Sequence, residues 1–313
     1  MTPTEYPKHI PSIPYSDSPS RLQTLDIWLP RPLVESDPAN SLWIIYMHGG
    51  AWRDPTQTSL CAEPTIKHLL SKSPFAIAGI ATLNYRLSPY ASHATDPSSP
   101  TDADRNVTHP THIRDVAQGI AFLQKKYGVK KWIGIGHSCG ATLLCQYVSG
   151  IGAVESDNSG GPEALILTAG IYSIPLFLRN HSAPACPPNI AQIYVDIVAG
   201  AFGADSAVYH GVSPVAGKYD TEKWKNGKLV VLAHSYDDEL VERAQRDVMC
   251  VALDREGWSI VMEDGDDEAD VSAGRRVLEV RDIKGSHDFV WEDGGQSAKL
   301  IVEVVERLTS GAS

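Results

Sequence analysis

The sequence predicts an α/β fold in which helices cover both faces of a mostly parallel β-sheet. Short apolar, β-branched runs alternate along the chain with longer amphipathic runs, a pattern typical of strands that alternate with helices. The chain has 313 residues, of which 42% are hydrophobic, so its length and core fit one large domain or two small ones. No internal repeat is visible, and we predict a single domain over residues 1–313.

Seven apolar runs are predicted to be β-strands. The run at residues 42–47 is nearly continuous in apolar side chains, as expected for a strand buried on both faces of a sheet. The predicted strands span residues 25–29, 42–47, 77–83, 131–135, 164–169, 229–233 and 277–283.

Four longer runs are predicted to be helices. In residues 112–127 the apolar side chains Ile113, Val116, Ile120 and Leu123 recur at helical spacing. The other predicted helices span residues 141–148, about 239–255 and 298–308.

Four segments do not fit this alternation. Residues 1–20 are polar and rich in Pro and Ser, and we expect an N-terminal tail. Residues 86–111 are rich in Ser, Pro, Asp and His and are typical of a long loop. Residues 171–222 carry several Pro and Gly between two predicted core strands, which indicates a cap insertion. The acidic residues 263–275 predict a solvated loop, with metal binding as the lesser alternative.

Composition argues against several classes of partner. The net charge of −11 repels nucleic acid and anionic lipid surfaces, so neither is expected as a partner. No stretch of 18 apolar residues predicts a membrane span, and the first twenty residues lack the apolar core of a secretory signal. The five cysteines are scattered without a C-x-x-C pair, which favours reduced thiols and a cytoplasmic location.

The stretch G-H-S-C-G at residues 136–140 is the strongest sign of chemistry. It lies between the predicted strand 131–135 and the predicted helix 141–148, the strand–turn–helix context of a nucleophile elbow. Gly136 and Gly140 lack the Cβ atoms that would collide in so sharp a turn. Ser138 would then stand beside a helix N-terminus, where negative charge is favoured. The alternative is a glycine-rich turn with an incidental serine.

A serine nucleophile needs a base and an acid that orients the base. In folds with a nucleophile elbow these follow in the order Ser, Asp or Glu, His, each after a later strand. His287 follows the predicted strand 277–283 and is the candidate base. Asp237, Asp238 and Glu239 all follow the strand 229–233; we choose Asp238 as the acid, with Asp237 as the alternative.

The stretch H-G-G-A-W at residues 48–52 directly follows the predicted strand 42–47. Acyl transfer passes through an oxyanion that needs preorganised N–H donors. By the order of this fold the donors are the N–H groups of Gly49, Gly50 and Cys139. Trp52 either stacks on an aromatic substrate or holds this loop in place, and the sequence favours neither.

The sequence predicts neither a metal site nor a cofactor. His93, His109 and His112 are near one another in the chain, but their spacing matches no ligand pattern.

Several motifs together resemble the serine-dependent kynurenine formamidases (arylformamidases), which are α/β-hydrolases related to the hormone-sensitive-lipase-like esterases. The resemblance covers residues 40–150 and 229–291, and it is most specific in H-G-G-A-W at 48–52 and H-S-Y-D-D-E-L at 234–240. The motifs are H-G-G-A-W-R-D-P at 48–55, N-Y-R-L at 84–87, H-P-T-H-I-R-D-V at 109–116, G-H-S-C-G-A-T at 136–142 and H-S-Y-D-D-E-L at 234–240. In the last of them the aligned acid is Asp238.

The resemblance implies hydrolysis of N-formyl-L-kynurenine to L-kynurenine and formate, a step of tryptophan breakdown toward kynurenine and NAD. The insertions at 171–222 and 263–275 match nothing in the family pattern, and the cap is where the amino-acid end of this substrate would be recognised. A general short-chain carboxylesterase shares every catalytic residue and is the main alternative. A non-catalytic binding protein on the same scaffold is a third. The expected partner is a small molecule, and a homodimer is plausible from the frequency of such assemblies alone.

Overall fold

One nine-stranded sheet organises the chain in a computed structural model, which describes residues 5–310 apart from 18–19, 38–40, 72–75, 153–159 and 263–273. The strand order across the sheet is β1-β2-β4-β3-β5-β6-β7-β9-β8. The strands are β1 (Lys8–Pro14), β2 (Thr24–Leu29), β3 (Leu42–Met47), β4 (Ile77–Leu83), β5 (Trp132–His137), β6 (Ala164–Thr168), β7 (Leu229–Ser235), β8 (Ser259–Met262) and β9 (Val277–Ile283).

The sheet is parallel from β4 to β8 across its order, and the pairs β1–β2 and β2–β4 are antiparallel. All seven predicted strands are present, so the prediction of a mostly parallel central sheet is confirmed. Because parallel strands end at the same edge, the loops after β3, β5, β7 and β9 gather at one rim of the sheet.

Helices pack against both faces of the sheet. The helices of the described residues are α1 (Glu63–Ser71), α2 (Thr111–Tyr127), α3 (Cys139–Ser149), α4 (Ile174–Asn180), α5 (Pro188–Phe202), α6 (Tyr209–Val212), α7 (Ala244–Arg255), α8 (Phe289–Asp293) and α9 (Gly295–Ser310), of which α4, α5 and α6 lie between β6 and β7. Apolar side chains of α2, α3 and α7 bury one face of the sheet, and those of α1, α8 and α9 bury the other.

Strand β3 illustrates how one apolar run serves two cores. Successive side chains of a strand point to opposite faces. Trp43 and Ile45 therefore belong to the core beneath α2, α3 and α7, while Ile44 and Tyr46 belong to the core beneath α1 and α9. A near-continuous apolar sequence is what burial on both faces requires.

Three sequence predictions need correction. Residues 8–14 of the predicted tail form β1, because they pair with the edge strand β2 and gain its hydrogen bonds. Strand β8, only four residues long, was not predicted, and it extends the other edge beside β9. The helix expected from about residue 239 begins at Ala244, because the preceding residues form the loop that carries the candidate acid.

The insertion between β6 and β7 contains α4, α5 and α6, so residues 171–222 hold more regular structure than their Pro and Gly content predicts. Residues 86–110 contain neither helix nor strand, as expected for a long loop. The acidic segment predicted at 263–275 lies, over residues 263–273, outside the described residues. Within the described ranges no helix combines the length and apolar character that crossing a bilayer requires.

Candidate active site

Ser138 occupies the sharp turn between β5 and α3. Its backbone has φ 53° and ψ −124°, a conformation that costs a non-glycine residue free energy and is found at functional sites. The Ser138 N–H donates to the carbonyl oxygen of Thr168 on the neighbouring strand (2.9 Å), which helps to hold the turn. Its side chain makes no capping bond to α3, so the hydroxyl is not committed to the helix.

The two glycines of the elbow are required by close backbone packing. A Cβ on Gly136 would collide with the backbone of Ala141. A Cβ on Gly140 would collide with the carbonyl oxygens of Met47 and His48. The first turn of α3 therefore rests directly on the end of β3, and the nucleophile is held against the loop that follows β3.

His287 and Asp238 meet as the chain order predicts. The Nδ1–H of His287 donates to both carboxylate oxygens of Asp238, at 3.0 and 2.9 Å. This bond leaves Nε2 of the ring unprotonated and able to accept a proton. His287 and Ser138 both line one cavity. His137, next to Ser138, donates its Nε2–H to the carbonyl oxygen of His287 at 3.0 Å.

Asp238 is held by more donors than the sequence indicates. Besides His287, it accepts the backbone N–H groups of Leu240 (3.0 Å) and Val241 (2.9 Å). The Nε2 atom of His234 lies 3.3 Å from its carboxylate and also donates to the carbonyl oxygen of Val241. Burial raises the pKa of Asp238, but the hydrogen bonds from His234 and His287 outweigh burial and hold this pKa well below its usual range. The carboxylate is therefore ionised at neutral pH.

The two acids beside Asp238 have other surroundings. Asp237 is exposed, and its backbone N–H donates to Ser235 Oγ. Glu239 accepts the backbone N–H of His287 at 3.0 Å, so it fixes the main chain of this residue rather than its ring. Of the three acids left open by the sequence, Asp238 is the one that contacts the imidazole.

The loop after β3 brings backbone N–H groups beside Ser138. Gly50, Ala51 and Trp52 are successive residues with positive φ (92°, 50° and 59°). A Cβ placed on Gly49 would lie 3.2 Å from Cβ of Ser138, so this loop touches the nucleophile. Among the loop and turn hydrogen bonds between backbone groups of the described residues, none has the N–H of Gly49, Gly50 or Cys139 as its donor. Backbone donors without a carbonyl partner at this position suit a developing oxyanion.

The Cys139 side chain fastens this loop from behind. Its Sγ accepts the N–H of Trp52 at 3.2 Å and lies 3.5 Å from the Tyr85 hydroxyl. That hydroxyl lies 3.1 Å from the carbonyl oxygens of both His48 and Gly49. Burial raises the pKa of Cys139 to about 11, so its thiol is protonated and unreactive at neutral pH.

Trp52 does not line the cavity, which counts against the alternative in which it stacks on a substrate. Its side chain is 1% exposed, and its ring meets Phe202 edge-on with centroids 5.0 Å apart. The indole belongs to the core and does not line the cavity that contains Ser138. Of the two alternatives for Trp52, the structure favours the one that holds the loop in place.

The cavity measures about 350 Å³, within the size range of small-molecule sites. One face of α5 lines it with Ile190, Ile193, Tyr194 and Ile197, which recur at helical spacing, and α4 adds Phe177. The 171–222 insertion thus contributes an apolar wall. The charged side chains of the wall belong to the loops after β3 and β9, and recognition of an amino-acid end by the cap stays a prediction.

Candidate metal ligands are few among the described residues. Ligand atoms of His137, His287 and Asp288 lie within 4.8 Å of one another. Hydrogen bonds account for this grouping, because His137 holds the backbone of His287 and Asp288 accepts the indole N–H of Trp291 at 2.9 Å. His93, His109 and His112 do not form such a group, and the absence of a metal stays a prediction.

Sequence reasoning missed the contributions of His137, His234 and Glu239. His234 and Glu239 lie in the H-S-Y-D-D-E-L stretch and His137 in the elbow, so the motifs contained them without indicating a contact. Each acts through a bond to a backbone or a carboxylate brought close only by the fold.

Comparison with known proteins identifies the family. No family model matches the chain. A kynurenine formamidase-like hydrolase of Fusarium equiseti is 35% identical over 307 residues, which cover 96% of each chain. The kynurenine formamidase of Aspergillus versicolor is 31% identical over 89% of this chain and 94% of its own, and that of Meyerozyma guilliermondii is 30% identical over 73% and 75%.

Solved structures agree on the fold. A truncated carbohydrate esterase from gut microbiota superposes with a TM-score of 0.61 at 16% identity, covering 95% of this chain and 96% of its own. Esterase B of Lactobacillus rhamnosis also gives 0.61, at 13% identity over 97% and 86%. The α/β-hydrolase fold expected from the sequence is confirmed, and with three relatives at 30% identity or more, the chain belongs to the kynurenine formamidase family.

Proposed function

We propose that this chain is a serine hydrolase that cleaves the aryl formamide bond of N-formyl-L-kynurenine, releasing L-kynurenine and formate. The observation that carries the proposal is the bond from His287 Nδ1 to Asp238, because His287 lines the same cavity as Ser138. The names of the relatives supply the substrate, and the chemistry of the site fits it.

In the first half of the reaction His287 Nε2 takes the hydroxyl proton of Ser138 while Oγ attacks the formyl carbon. The ionised Asp238 stabilises the imidazolium that forms. The oxyanion of the tetrahedral intermediate is received by the N–H groups of Gly49, Gly50 and Cys139. When the intermediate collapses, the C–N bond breaks and His287 returns the proton to the departing aryl amine.

In the second half a water molecule replaces the amine. His287 takes a proton from this water as its oxygen attacks the formyl-serine carbon, and a second tetrahedral intermediate forms on the same N–H groups. Its collapse releases formate and restores the Ser138 hydroxyl with the proton from His287.

The shape of the site favours a small acyl group with a large amine. The Gly49–Gly50 loop lies against Ser138, so the acyl side is narrow, and a formyl group needs almost no space. The apolar wall from α4 and α5 can cover an aromatic ring, where burial contributes about 25 cal/mol per Å² of apolar surface.

The same catalytic residues would also cleave short-chain carboxylic esters. Carboxylesterase activity is the second candidate function, because the structural neighbours are esterases. Both activities use the same nucleophile, base and oxyanion donors. Substrate preference is therefore the only discriminating measurement.

The test compares the purified protein with Ser138→Ala on N-formyl-L-kynurenine and on p-nitrophenyl acetate. We expect wild type to favour the formamide in kcat/KM, and the variant to lose nearly all activity on both substrates. Efficient hydrolysis of the ester with no turnover of N-formyl-L-kynurenine would leave the esterase as the function.

We further place this reaction in the cytoplasm, within tryptophan breakdown toward kynurenine and NAD. All five cysteines are free, which supports a reducing compartment. The substrate is a small molecule, and the acidic net charge of −11 gives no support for nucleic acid as a partner.

A further inference from the structure

Arg53 is a buried cation in the wall of the catalytic cavity. Arg53 directly follows the H-G-G-A-W stretch, and 7% of its surface is exposed. Its guanidinium carbon lies 4.0 Å from the centroid of the Tyr90 ring, and both side chains line the cavity with Ser138 and His287. The aromatic ring therefore orients a planar cation at the wall of the cavity.

No carboxylate of the described residues lies within ion-pair distance of this guanidinium. The adjacent Asp54 instead accepts the backbone N–H and the hydroxyl of Thr56, at 2.8 and 2.6 Å, and faces His93 at 3.6 Å. Burial lowers the pKa of Arg53, with Tyr90, Asp196 and Asp54 opposing that effect. A buried cation without a carboxylate at ion-pair distance is costly, and an anion entering the cavity would offset this cost.

We propose that Arg53 binds the α-carboxylate of the substrate, so that the cavity selects an aromatic α-amino acid over a neutral ester. This proposal rests on the formamidase function proposed above and assigns a residue to the part of the substrate that the catalytic groups do not touch. An arginine presents paired N–H donors to a carboxylate, which is the geometry that recognises this group best.

The remaining charged side chains of the wall fit the same class of ligand. Asp54 and Asp288 also line the cavity, and Asp288 directly follows His287. One cation accompanied by two carboxylates suits a zwitterion better than a simple anion, because the α-ammonium group can lie near an acid while the α-carboxylate meets Arg53. The apolar wall of α5 then receives the ring.

The test compares N-formyl-L-kynurenine with N-(2-acetylphenyl)formamide, which carries the same aryl formamide but no amino-acid group. The readout is the ratio of their kcat/KM values in wild type, Arg53→Gln and Arg53→Lys. We expect Arg53→Gln to lower the ratio about 10- to 100-fold, the usual range for a lost charge-assisted bond. Arg53→Lys keeps the positive charge but lacks the planar pair of N–H donors, so its ratio should lie between those of wild type and Arg53→Gln.

Arg179→Gln is the matched control, because Arg179 is an exposed arginine on α4 outside the cavity wall. Its ratio should equal that of wild type. A ratio in Arg53→Gln equal to that of wild type, with N-formyl-L-kynurenine still cleaved, would overturn the role of Arg53 and leave the proposed function intact. Failure of wild type to cleave N-formyl-L-kynurenine, while it cleaves the neutral formamide, would instead overturn the proposed function and this inference with it.

A second measurement on wild type covers the case in which the Arg53 variants fail to fold. L-kynurenine and 2-aminoacetophenone are compared as competitive inhibitors of p-nitrophenyl acetate hydrolysis. We expect L-kynurenine to bind at least about tenfold more tightly, because only it carries a carboxylate. Equal inhibition constants would refute recognition of the amino-acid group.

Discussion

Asp238→Asn tests the geometry of the site most directly, because it changes one atom of a side chain held by several donors. The carboxylate accepts Nδ1–H of His287 and the backbone N–H groups of Leu240 and Val241. An asparagine can keep its carbonyl oxygen on the two backbone donors, but its NH₂ group then faces the imidazole. Two donors cannot share a hydrogen bond, so the NH₂ group at the Oδ2 position favours an imidazole that accepts at Nδ1 and carries its proton on Nε2, although Oδ1 stays 3.0 Å from Nδ1.

The size of the effect follows from this change of tautomer. An imidazole protonated at Nε2 cannot take the proton of Ser138, so general-base catalysis is lost while the oxyanion donors remain. We expect kcat to fall by about 10³- to 10⁴-fold, a loss of about 4–5.5 kcal/mol in transition-state stabilisation. KM should change little, because Asp238 is buried behind His287 and does not line the cavity.

The assay is initial-rate hydrolysis of N-formyl-L-kynurenine, with circular dichroism as a check that the variant is folded. Asp237→Asn is the matched control, since it makes the same change on the neighbouring, exposed acid. Its kcat should stay within about twofold of wild type, the effect of a surface change. An Asp238→Asn variant that keeps a tenth or more of the wild-type kcat, or equal losses in the two variants, would refute this reasoning.

Three further predictions concern buried residues around the site. Trp52→Phe should lower the free energy of unfolding, measured in urea, by about 1–3 kcal/mol, because the ring packs in the core against Phe202. Its KM should stay within about twofold of the wild-type value. A large rise in KM would indicate that Trp52 contacts the substrate. Cys139→Ala should lower kcat about tenfold, because the N–H of Trp52 loses its acceptor. Cys139→Ser should keep most of the wild-type kcat, because its hydroxyl can accept this bond. An equal loss of kcat in the two variants would contradict the role of Cys139 as that acceptor. Burial lowers the pKa values of His48, His112 and His137 to about 4, 3 and 3, whereas histidine in the unfolded chain has a pKa of about 6.5. At a pH between the folded and unfolded values, the unfolded chain therefore binds more protons than the folded protein. Acidification from pH 7 to 5.5 should therefore lower the free energy of unfolding by on the order of 1 kcal/mol per histidine. A free energy of unfolding that stays constant or rises over this pH range in denaturant titrations would contradict the prediction.

The catalytic centre was largely predictable because its signals are local. A nucleophile elbow needs glycines at fixed offsets from the serine, and these leave a readable pattern between a strand and a helix. The ends of parallel strands meet at one rim of the sheet, so Asp238 and His287 could be placed together from chain order alone.

The elements that sequence reasoning missed depend on contacts between distant residues. Strand β1 carries no apolar run and forms by pairing with β2, so its own residues give no signal. Arg53 lies within a motif, yet its burial on Tyr90 arises from a loop almost forty residues further along the chain. Side chains that act through long-range partners are not visible in spacing or periodicity.

Most of the apolar wall over the cavity comes from a single insertion, whereas the nucleophile, the base and the acid lie on loops of the sheet. The catalytic groups and most of the apolar surface that would contact the leaving amine are therefore encoded in separate stretches of the gene. An exchange of residues 171–222 between family members would transplant a preference for the leaving amine while leaving bond cleavage intact. In this architecture a change of substrate requires replacement of one inserted segment and no change in the catalytic residues.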